Sequence, residues 1–248
     1  MTAPHHPLEI LPEAVARAVG ATRYWFVIGG QAVRCLCPYR PSRDVDFGVV
    51  DARTSEQLLA QLRQRGKVEL IERGQDTLHL TFDGIDVSIF VLPELTAHVH
   101  NQALDAWGLL ATKIHAILDR GLRRDFFDLY VLMDLGAFGL ADCLRALREV
   151  YQADINEGLL LRALVYFDDA DAEAPLPREG PEDWATIKSF FQAAVGALIT
   201  PPRARLSIQS ERVDVAPSKR SEPRRVPKPR SRKKAASRKQ KRSPARKA

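Results

Sequence analysis

The stretch RPSRDVDFGVV, Arg40–Val50, places two aspartates one residue apart inside an otherwise apolar run. The run predicts a β-strand, in which side chains at positions i and i+2 share a face. Asp44 and Asp46 then point one way, and Val45 and Phe47 point the other way. Neighbouring carboxylates repel each other, and Mg²⁺ removes the repulsion because it binds carboxylate and phosphate oxygens. The stretch predicts a metal-binding strand, with a solvated edge-strand face as the alternative.

The residues before this stretch predict a strand followed by a glycine turn and a helix. YWFVIGG, residues 24–30, is a buried-strand pattern that stops at Gly29 and Gly30, and QAVRCL continues as a helix. Backbone N–H groups at the start of such a helix suit a phosphate or triphosphate. An ordinary tight turn is the alternative, since glycine is common in turns.

A third acid follows on a predicted β-hairpin. TLHLTF and IDVSIFV flank Asp83 and Gly84, a preferred pair for a two-residue turn. This turn places Asp86 opposite Thr81. Three acids on neighbouring strands can hold two metal ions about 3.5 to 4 Å apart. Asp86 is therefore predicted to complete an acidic site.

The second half of the chain has helical periodicity. Trp107, Ala111, Ile114 and Leu118 recur every three or four residues, and RRDFFDLYVLMDLG forms the next helix. Further helices are predicted near residues 11–18 and 54–66. The helices predicted near residues 141–152, 156–166 and 182–199 belong to a helical unit. The start at Thr54 rests on capping-box spacing to Gln57.

The charge of the chain is divided unevenly. Residues 203–248 hold 18 Lys and Arg against three acids, a formal charge of +15, which leaves −9 on the first 202 residues. The tail has few large apolar side chains and many Pro and Ser, so it cannot offset its ordering entropy and is predicted to be disordered. It would attract polyanions by counterion release, with RNA, DNA or ribosomes as partners, or serve solubility alone.

The cellular setting is predicted to be the reducing cytoplasm. The three cysteines are an odd number without a C-x-x-C pair, so neither a disulfide framework nor a structural zinc site is indicated. The start of the chain lacks a signal-peptide pattern, and no apolar run is long enough to span a membrane.

Two segments carry a family resemblance. GGQAVRCLCPYRPSRDVDF together with IDVSIFV resembles the nucleotidyltransferase superfamily, and LLATKIHAILDRGLRRDFFDLYVLM resembles its AbiEii/AbiGii toxin family. The resemblance covers about residues 24–135. It implies an α+β fold: a small nucleotidyltransferase-type mixed β-sheet with flanking helices (1–100), a helical domain (101–200) and the disordered basic tail (201–248).

The resemblance also implies roles for individual residues. Asp44 and Asp46 would bind metal and nucleotide phosphates, and Asp86 would complete the acidic cluster. Lys113 would contact the nucleotide. Asp125 or Asp128 would be a base or a positioning group for the acceptor hydroxyl, and the spacing leaves the choice between them open because both share one helix face.

Cationic side chains are expected around the phosphates. Arg40 and Arg43 flank the aspartate pair, and Lys113 and Arg120 lie two turns apart on one helix face. The alternative is that these are surface charges in weak ion pairs. Gln31 stands where the family often has a hydroxyl residue, so one triphosphate contact differs.

The expected function is Mg²⁺-dependent transfer of a nucleoside monophosphate from an NTP to an acceptor hydroxyl. The resemblance suggests tRNA 3′ ends as acceptor, and the tail at 203–248 is expected to recruit the RNA. It also suggests a toxin that causes growth arrest and a separate antitoxin protein. A protein acceptor or phosphate transfer is chemically close. The alternatives are a noncatalytic nucleic-acid-binding protein with a degenerate nucleotidyltransferase body and a two-metal nuclease.

Overall fold

The computed structural model describes residues 5–152 and 155–200. Within them the strands are β1 (Trp25–Val27), β2 (Val45–Val49), β3 (Val68–Arg73), β4 (Thr77–Phe82), β5 (Ile85–Val91), β6 (Val99–His100) and β7 (Ala103–Leu104). The helices are α1 (Pro7–Ile10), α2 (Glu13–Val19), α3 (Gly29–Leu36), α4 (Ala52–Arg65), α5 (Ala106–Asp119), α6 (Arg123–Gly136), α7 (Leu140–Tyr151), α8 (Glu157–Ala163), α9 (Asp168–Ala172) and α10 (Asp183–Ile199). A 3₁₀ helix spans Pro93–His98. The mixed sheet with flanking helices confirms the predicted α+β fold class.

Five strands form one mixed sheet in the order β1, β2, β5, β4, β3. β2 runs parallel to β5, whereas the other neighbours are antiparallel. The β4–β5 hairpin places Thr81 opposite Asp86, as the turn sequence predicted. Asp83 and Gly84 both have positive φ, 49° and 81°, as a type I′ hairpin turn requires.

The two faces of the sheet differ in character because side chains alternate along each strand. On one face Val45, Phe47 and Val49 of β2 are fully buried. The apolar stripe of α4 packs against β2 and β5 and is buried with them. The opposite face carries Asp46 and is the floor of a cleft. The sheet therefore buries its apolar side and leaves a polar side for chemistry.

Helix α4 begins earlier than its sequence suggested. Asp51 is the N-cap residue, and its Oδ1 accepts hydrogen bonds from the backbone N and the Oγ1 of Thr54, at 2.7 and 2.6 Å. The predicted start at Thr54 was therefore wrong, because the aspartate three residues earlier caps the helix. The predicted end at Gly66 is confirmed as the C-cap position.

The helices after β7 pack around aromatic side chains. Phe126 of α6 contacts Phe167, Trp184 and Phe191 with ring centroids 5.2 to 5.8 Å apart. The helix predicted near residues 182–199 is confirmed as α10, on which Trp184 and Phe191 are buried together with Ile187 and Val195. This packing fixes α6 against α10.

The predicted domain divisions remain predictions. The five-stranded sheet lies before residue 92 and helices α5 to α10 lie after residue 105, but one continuous apolar core includes both parts. The predicted disordered tail, 201–248, lies outside the described residues. Among the helices that the structure describes, none has both the length and the hydropathy needed to cross a bilayer.

Candidate active site

A cleft of about 310 Å³ opens on the polar face of the sheet. Its walls come from the start of α3, the loop before β2, three strands of the sheet and the polar sides of α5 and α6. Seven predicted site residues line it, namely Gly29, Gly30, Asp44, Asp46, Asp86, Lys113 and Arg120. The remaining lining residues are Arg40, Ser42, His79, Ser88, Phe90 and Arg124. Residues far apart in the sequence thus meet in one place.

The glycine turn lies directly beside Asp46. Gly29 is the first residue of α3 and has φ 62°, a left-handed conformation that glycine adopts without steric cost. A Cβ atom on Gly29 would overlap Asp46 Oδ2, so only glycine leaves room for this carboxylate. A Cβ on Gly30 would lie 2.7 Å from Ser42 Oγ. The turn therefore brings the backbone N–H groups of the helix start next to an acid and a hydroxyl.

The three predicted acids occupy the same face of the sheet. Asp46 pairs in register with Ser88 of β5, and Val45 pairs with Val87. Continuing this register by one residue places Asp44 beside Asp86. Burial raises the pKa of Asp46, Lys113 opposes this shift, and the nearby Asp44 charge adds to it. Burial and the Asp44 charge thus disfavour ionised Asp46, and a bound cation would offset this cost.

The carboxylates fit a magnesium ion that is shared with a nucleotide. Mg²⁺ commonly takes one or two protein carboxylates and completes its octahedron with substrate phosphates and water. Asp44 and Asp46 provide such a pair in the cleft, with Asp46 next to the glycine turn. Within the described residues, however, no three His, Cys, Asp or Glu side chains are gathered into a metal-binding group. Asp86 lines the same cleft, and its role as a third ligand remains a prediction.

Cations form the wall opposite the sheet. Lys113 of α5 is only 3% exposed, and its Nζ lies 2.7 Å from Asp128 Oδ2 and 3.7 Å from Asp125 Oδ1. Arg124 of α6 places Nη1 3.9 Å from Asp44 Oδ2. The expected cationic strip is therefore built from α5 and α6 together, with Lys113 in the interior instead of on the surface.

Asp128 is the anchor of a buried polar cluster behind this wall. It is fully buried and accepts hydrogen bonds from Tyr39 Oη at 2.5 Å and from Arg40 Nε and Nη2 at 2.9 and 2.6 Å. Burial alone would raise the pKa of Asp128, but the charges of Lys113 and Arg40 outweigh burial and lower it. Asp128 is thus a permanent anion at neutral pH whose oxygens are already engaged.

Asp125 has a similar position one turn earlier. It is fully buried, and its two oxygens accept hydrogen bonds from Arg120 Nε at 2.9 Å and Nη2 at 3.1 Å. Neither Asp125 nor Asp128 lines the cleft. Of the two roles expected for these acids, the geometry favours positioning over proton abstraction, because their structural partners are the cations of the wall.

Two sequence-based expectations about the phosphate contacts change in detail. Arg43 is exposed and does not line the cleft, whereas its neighbour Arg40 does. Gln31 is buried and donates hydrogen bonds from Nε2 to the carbonyl oxygens of Ser42 and Asp44, at 3.2 and 3.1 Å. Gln31 thus holds the loop that enters β2, and Ser42 supplies the hydroxyl beside the glycine turn.

The sequence reasoning missed the residues of β4 and β5 that extend the cleft floor. His79 lies opposite Ser88 in the hairpin, and their side chains contact each other at 2.9 Å between Nδ1 and Oγ. The predicted pairing of Thr81 with Asp86 already implied this, since moving two residues along each strand gives His79 and Ser88 on the same face. The hairpin register in the sequence therefore already indicates that His79 and Ser88 share the face of Asp86.

The family comparison matches the part of the chain that begins at Asp86. Residues 86–205 match the sequence model of the family described as nucleotidyl transferase AbiEii toxin, type IV TA system. The match begins at Asp86 and runs through the last described helix, so it includes late helices that the sequence-based resemblance did not cover. The glycine turn, Asp44 and Asp46 precede the match and are tied to it by the geometry of the cleft.

Similar proteins were found among sequences and solved structures. A protein of Aquifex aeolicus (strain VF5), described as uncharacterized protein aq_aa25, is 27% identical over 194 residues, which are 74% of this chain and 93% of the relative. A candidate nucleotidyltransferase from H. pylori has a TM-score of 0.49 at 16% identity, over 77% of this chain and 95% of that chain. An antigenic nucleotidyltransferase-like protein from Paracoccidioides brasiliensis has a TM-score of 0.36 at 18% identity, over 65% and 95%.

The predicted resemblance is confirmed by the family match, and the cleft provides the groups that the match leaves out. Residues 86–205 of the chain are similar to the AbiEii nucleotidyltransferase toxin family, which is described as part of a type IV toxin–antitoxin system.

Proposed function

We propose that this chain transfers a nucleoside monophosphate from an NTP to a hydroxyl group of RNA, with Mg²⁺, and that it thereby acts as a toxin. The observation that carries the proposal is the contact between Gly29 and Asp46, which joins a helix start to a carboxylate pair in one cleft. The N–H groups of a helix start favour a polyphosphate, and the carboxylates favour the cation that accompanies it.

The charges of the cleft suit a triphosphate. Gly29 and Gly30 at the helix start, Ser42 with its hydroxyl, and the cationic residues Lys113 and Arg120 all line this cleft. Preorganised donors of this kind stabilise charge that develops on phosphoryl oxygens without reorganisation during the reaction. These groups would hold the β- and γ-phosphates and leave the α-phosphate beside Asp46.

The transfer step exchanges one phosphorus–oxygen bond for another. The acceptor oxygen bonds to the α-phosphorus, the bond from this phosphorus to the bridging oxygen breaks, and pyrophosphate leaves with that electron pair. The acceptor proton passes to water in the open cleft. A metal ion held by Asp44 and Asp46, with Asp86 nearby, would supply charge neutralisation and Lewis acidity.

Asp125 and Asp128 act in this proposal as positioning residues. Their carboxylates hold Arg120, Arg40 and Lys113 by hydrogen bonds and ion pairs of 2.6 to 3.7 Å. Lys113 is buried, and its ion pairs with both carboxylates hold its ammonium group in place. The fixed cations then face the phosphates in a constant geometry, which is the condition for catalysis by positioning.

The partners follow from the family and from the charge of the chain. A type IV toxin implies an antitoxin partner, and the basic segment 203–248, formally +15, would recruit RNA and raise its concentration near the cleft. The cytoplasm supplies both NTP and RNA. Deleting residues 203–248 is expected to raise the KM for RNA and to leave transfer at saturating RNA largely intact.

The decisive experiment follows the label of the nucleotide. The purified chain is incubated with Mg²⁺, total RNA or cell extract, and each NTP labelled either at the α- or at the γ-phosphate. The proposal predicts α-label in an RNA band, no transfer of γ-label, and neither signal from an Asp44→Asn/Asp46→Asn double variant. Transfer of γ-label would redirect the assignment to phosphate transfer, α-label on protein to a protein acceptor, and no label at all to a binding protein.

A further inference from the structure

The cleft has an aromatic end that the proposed phosphate contacts do not use. Phe90 is the one large apolar side chain among the cleft-lining residues of the described chain, and the His79 ring meets it edge to face at 5.9 Å between centroids. Both side chains are only partly buried. An apolar ring on a polar cleft floor therefore remains available to a ligand.

The His79 ring is held in one orientation by its neighbour. Its Nδ1 lies 2.9 Å from Ser88 Oγ, directly across the β4–β5 pair. Within the described residues Nε2 has no hydrogen-bond partner of its own. One ring nitrogen is therefore fixed by the protein while the other can contact a ligand, an arrangement that suits the hydrogen-bonding edge of a nucleobase.

The aromatic end lies on a defined side of Asp46. Along one row of the sheet the order is Gly29 beside Asp46, then Ser88, then His79. Neighbouring strands are about 4.8 Å apart, so the His79 backbone lies two strand spacings, roughly 10 Å, from that of Asp46. The glycine turn lies on the other side of Asp46. The glycine turn and the aromatic rings thus flank Asp46 from opposite sides.

We infer that Phe90 and His79 form the subsite that binds the terminal base of the acceptor RNA. The inference rests on the proposed nucleotidyl transfer. In phosphoryl transfer the attacking and leaving oxygens lie roughly in line with phosphorus between them. With pyrophosphate at the glycine turn, the attacking hydroxyl comes from the side of β5 and β4, and the base of its nucleoside reaches the rings.

The chemistry of the site favours a base over a protein acceptor. Every base has an aromatic face, and stacking on protein rings binds single-stranded nucleic acid without strict sequence preference. The free His79 Nε2 adds one hydrogen bond to a base edge. A serine or threonine acceptor would bring neither an aromatic face nor a ring edge to Phe90.

The test compares two synthetic RNA hairpins that differ only at the 3′ terminus, one ending in CCA and one with an abasic ribose in place of the terminal adenosine. With Mg²⁺ and α-labelled NTP, the full chain is expected to use the intact end about 10- to 100-fold better in kcat/KM, the range that stacking of one base gives. Phe90→Leu and His79→Gln are expected to lose most of this preference through a higher KM for the intact RNA.

The variants are chosen to separate binding from folding. Phe90→Leu keeps an apolar side chain in β5, and Phe90→Tyr, which keeps the ring, is expected to restore the preference. Tyr166→Ala removes an exposed aromatic side chain that does not line the cleft and should keep it fully. Urea unfolding of each variant confirms that the comparison is made on folded protein.

Each alternative outcome overturns a different statement. If the wild-type chain labels both hairpins equally, the aromatic subsite is wrong while nucleotidyl transfer to RNA stands. If Phe90→Leu raises the KM for NTP instead of the KM for RNA, the rings bind the incoming nucleotide and the inference fails. If neither hairpin is labelled and protein is, the proposed RNA acceptor fails together with it.

Discussion

Two sets of aspartates lie within one small region, and their surroundings are opposite. Asp44, Asp46 and Asp86 line the cleft, whereas Asp125 and Asp128 are fully buried behind its wall. The buried pair has its oxygens engaged by arginine, lysine and tyrosine groups at hydrogen-bonding distance. The cleft acids have Arg124 as a distant partner at 3.9 Å from Asp44.

The contrast shows that residue type alone does not assign a role. A carboxylate whose lone pairs are occupied stabilises the cations that occupy them, and one that is left without close partners can bind a metal ion or substrate. We therefore propose that the buried acids act on structure and the cleft acids on chemistry. The following changes test this separation.

The largest effect on stability is expected from Asp128→Asn. The change leaves Arg40 and Lys113 buried without their countercharge, which costs about 3–5 kcal/mol in the free energy of unfolding. Urea denaturation at pH 7 measures it. The matched control is Asp134→Asn, an exposed position on the same helix, with an expected change within about 0.5 kcal/mol. Equal effects of the two substitutions would contradict the assigned role of the buried acid.

The difference in unfolding free energy between the wild type and Asp128→Asn should depend on pH. Because the pKa of Asp128 is lowered in the folded chain by Lys113 and Arg40 against the effect of burial, its ionised form contributes stability at neutral pH. That contribution is lost as the pH falls below the ordinary aspartate value of about 4 and through the lowered folded value. The stability gap between wild type and Asp128→Asn should shrink over this acidic range. A gap that stays constant down to about pH 2 would refute the linkage.

Two glycine substitutions sharpen the assignment of the cleft acids. Gly29→Ala and Gly84→Ala both force alanine into a left-handed backbone, at φ 62° and 81°, and each should cost about 1–2 kcal/mol in unfolding free energy. Only the first adds a contact with Asp46, since the space around Gly84 is open. Transfer of α-label should fall about 10²-fold in Gly29→Ala, as expected for displaced reacting groups, and remain near wild type in Gly84→Ala. Similar transfer rates in both would separate Asp46 from the chemistry.

The smallest effect on stability is expected from Arg124→Gln. Its contact with Asp44 is long and partly exposed, so its loss should change the free energy of unfolding by less than about 1 kcal/mol. Urea unfolding at low and high salt measures the change and its screening. A loss as large as that of Asp128→Asn would mean that the cleft acids are also structural.

Much of the fold was predictable because local patterns and tertiary structure agree. Alternation along β4 and β5 and the Asp83-Gly84 turn predicted the hairpin and the position of Asp86. Strand β3 was not predicted, since most of its residues are exposed at the sheet edge and show no alternation of burial. The start of α4 was misplaced because both Asp51 and Thr54 are good capping residues and only the backbone geometry distinguishes them.

The sequence predicted most of the residues that line the cleft, but it did not show which acids line it and which are buried behind its wall. Spacing placed Asp125 and Asp128 on one face of α6, yet it could not show that this face is buried against Lys113. Phe126 and Leu129 on other faces of α6 are also buried, so residues 123–133 of the helix lack an exposed side from which an orientation could be inferred. The packing of α5 on α6 decides which charges meet, and that packing depends on residues throughout the core.

The most direct test is the rate of α-label transfer by Asp46→Asn at saturating NTP, Mg²⁺ and RNA, measured on protein shown to be folded. The account predicts transfer lower by about 10³-fold or more, the loss of several kcal/mol of transition-state stabilisation, with a urea midpoint no lower than that of the wild type. Transfer within tenfold of the wild-type rate would contradict the central claim that the cleft aspartates carry the reaction.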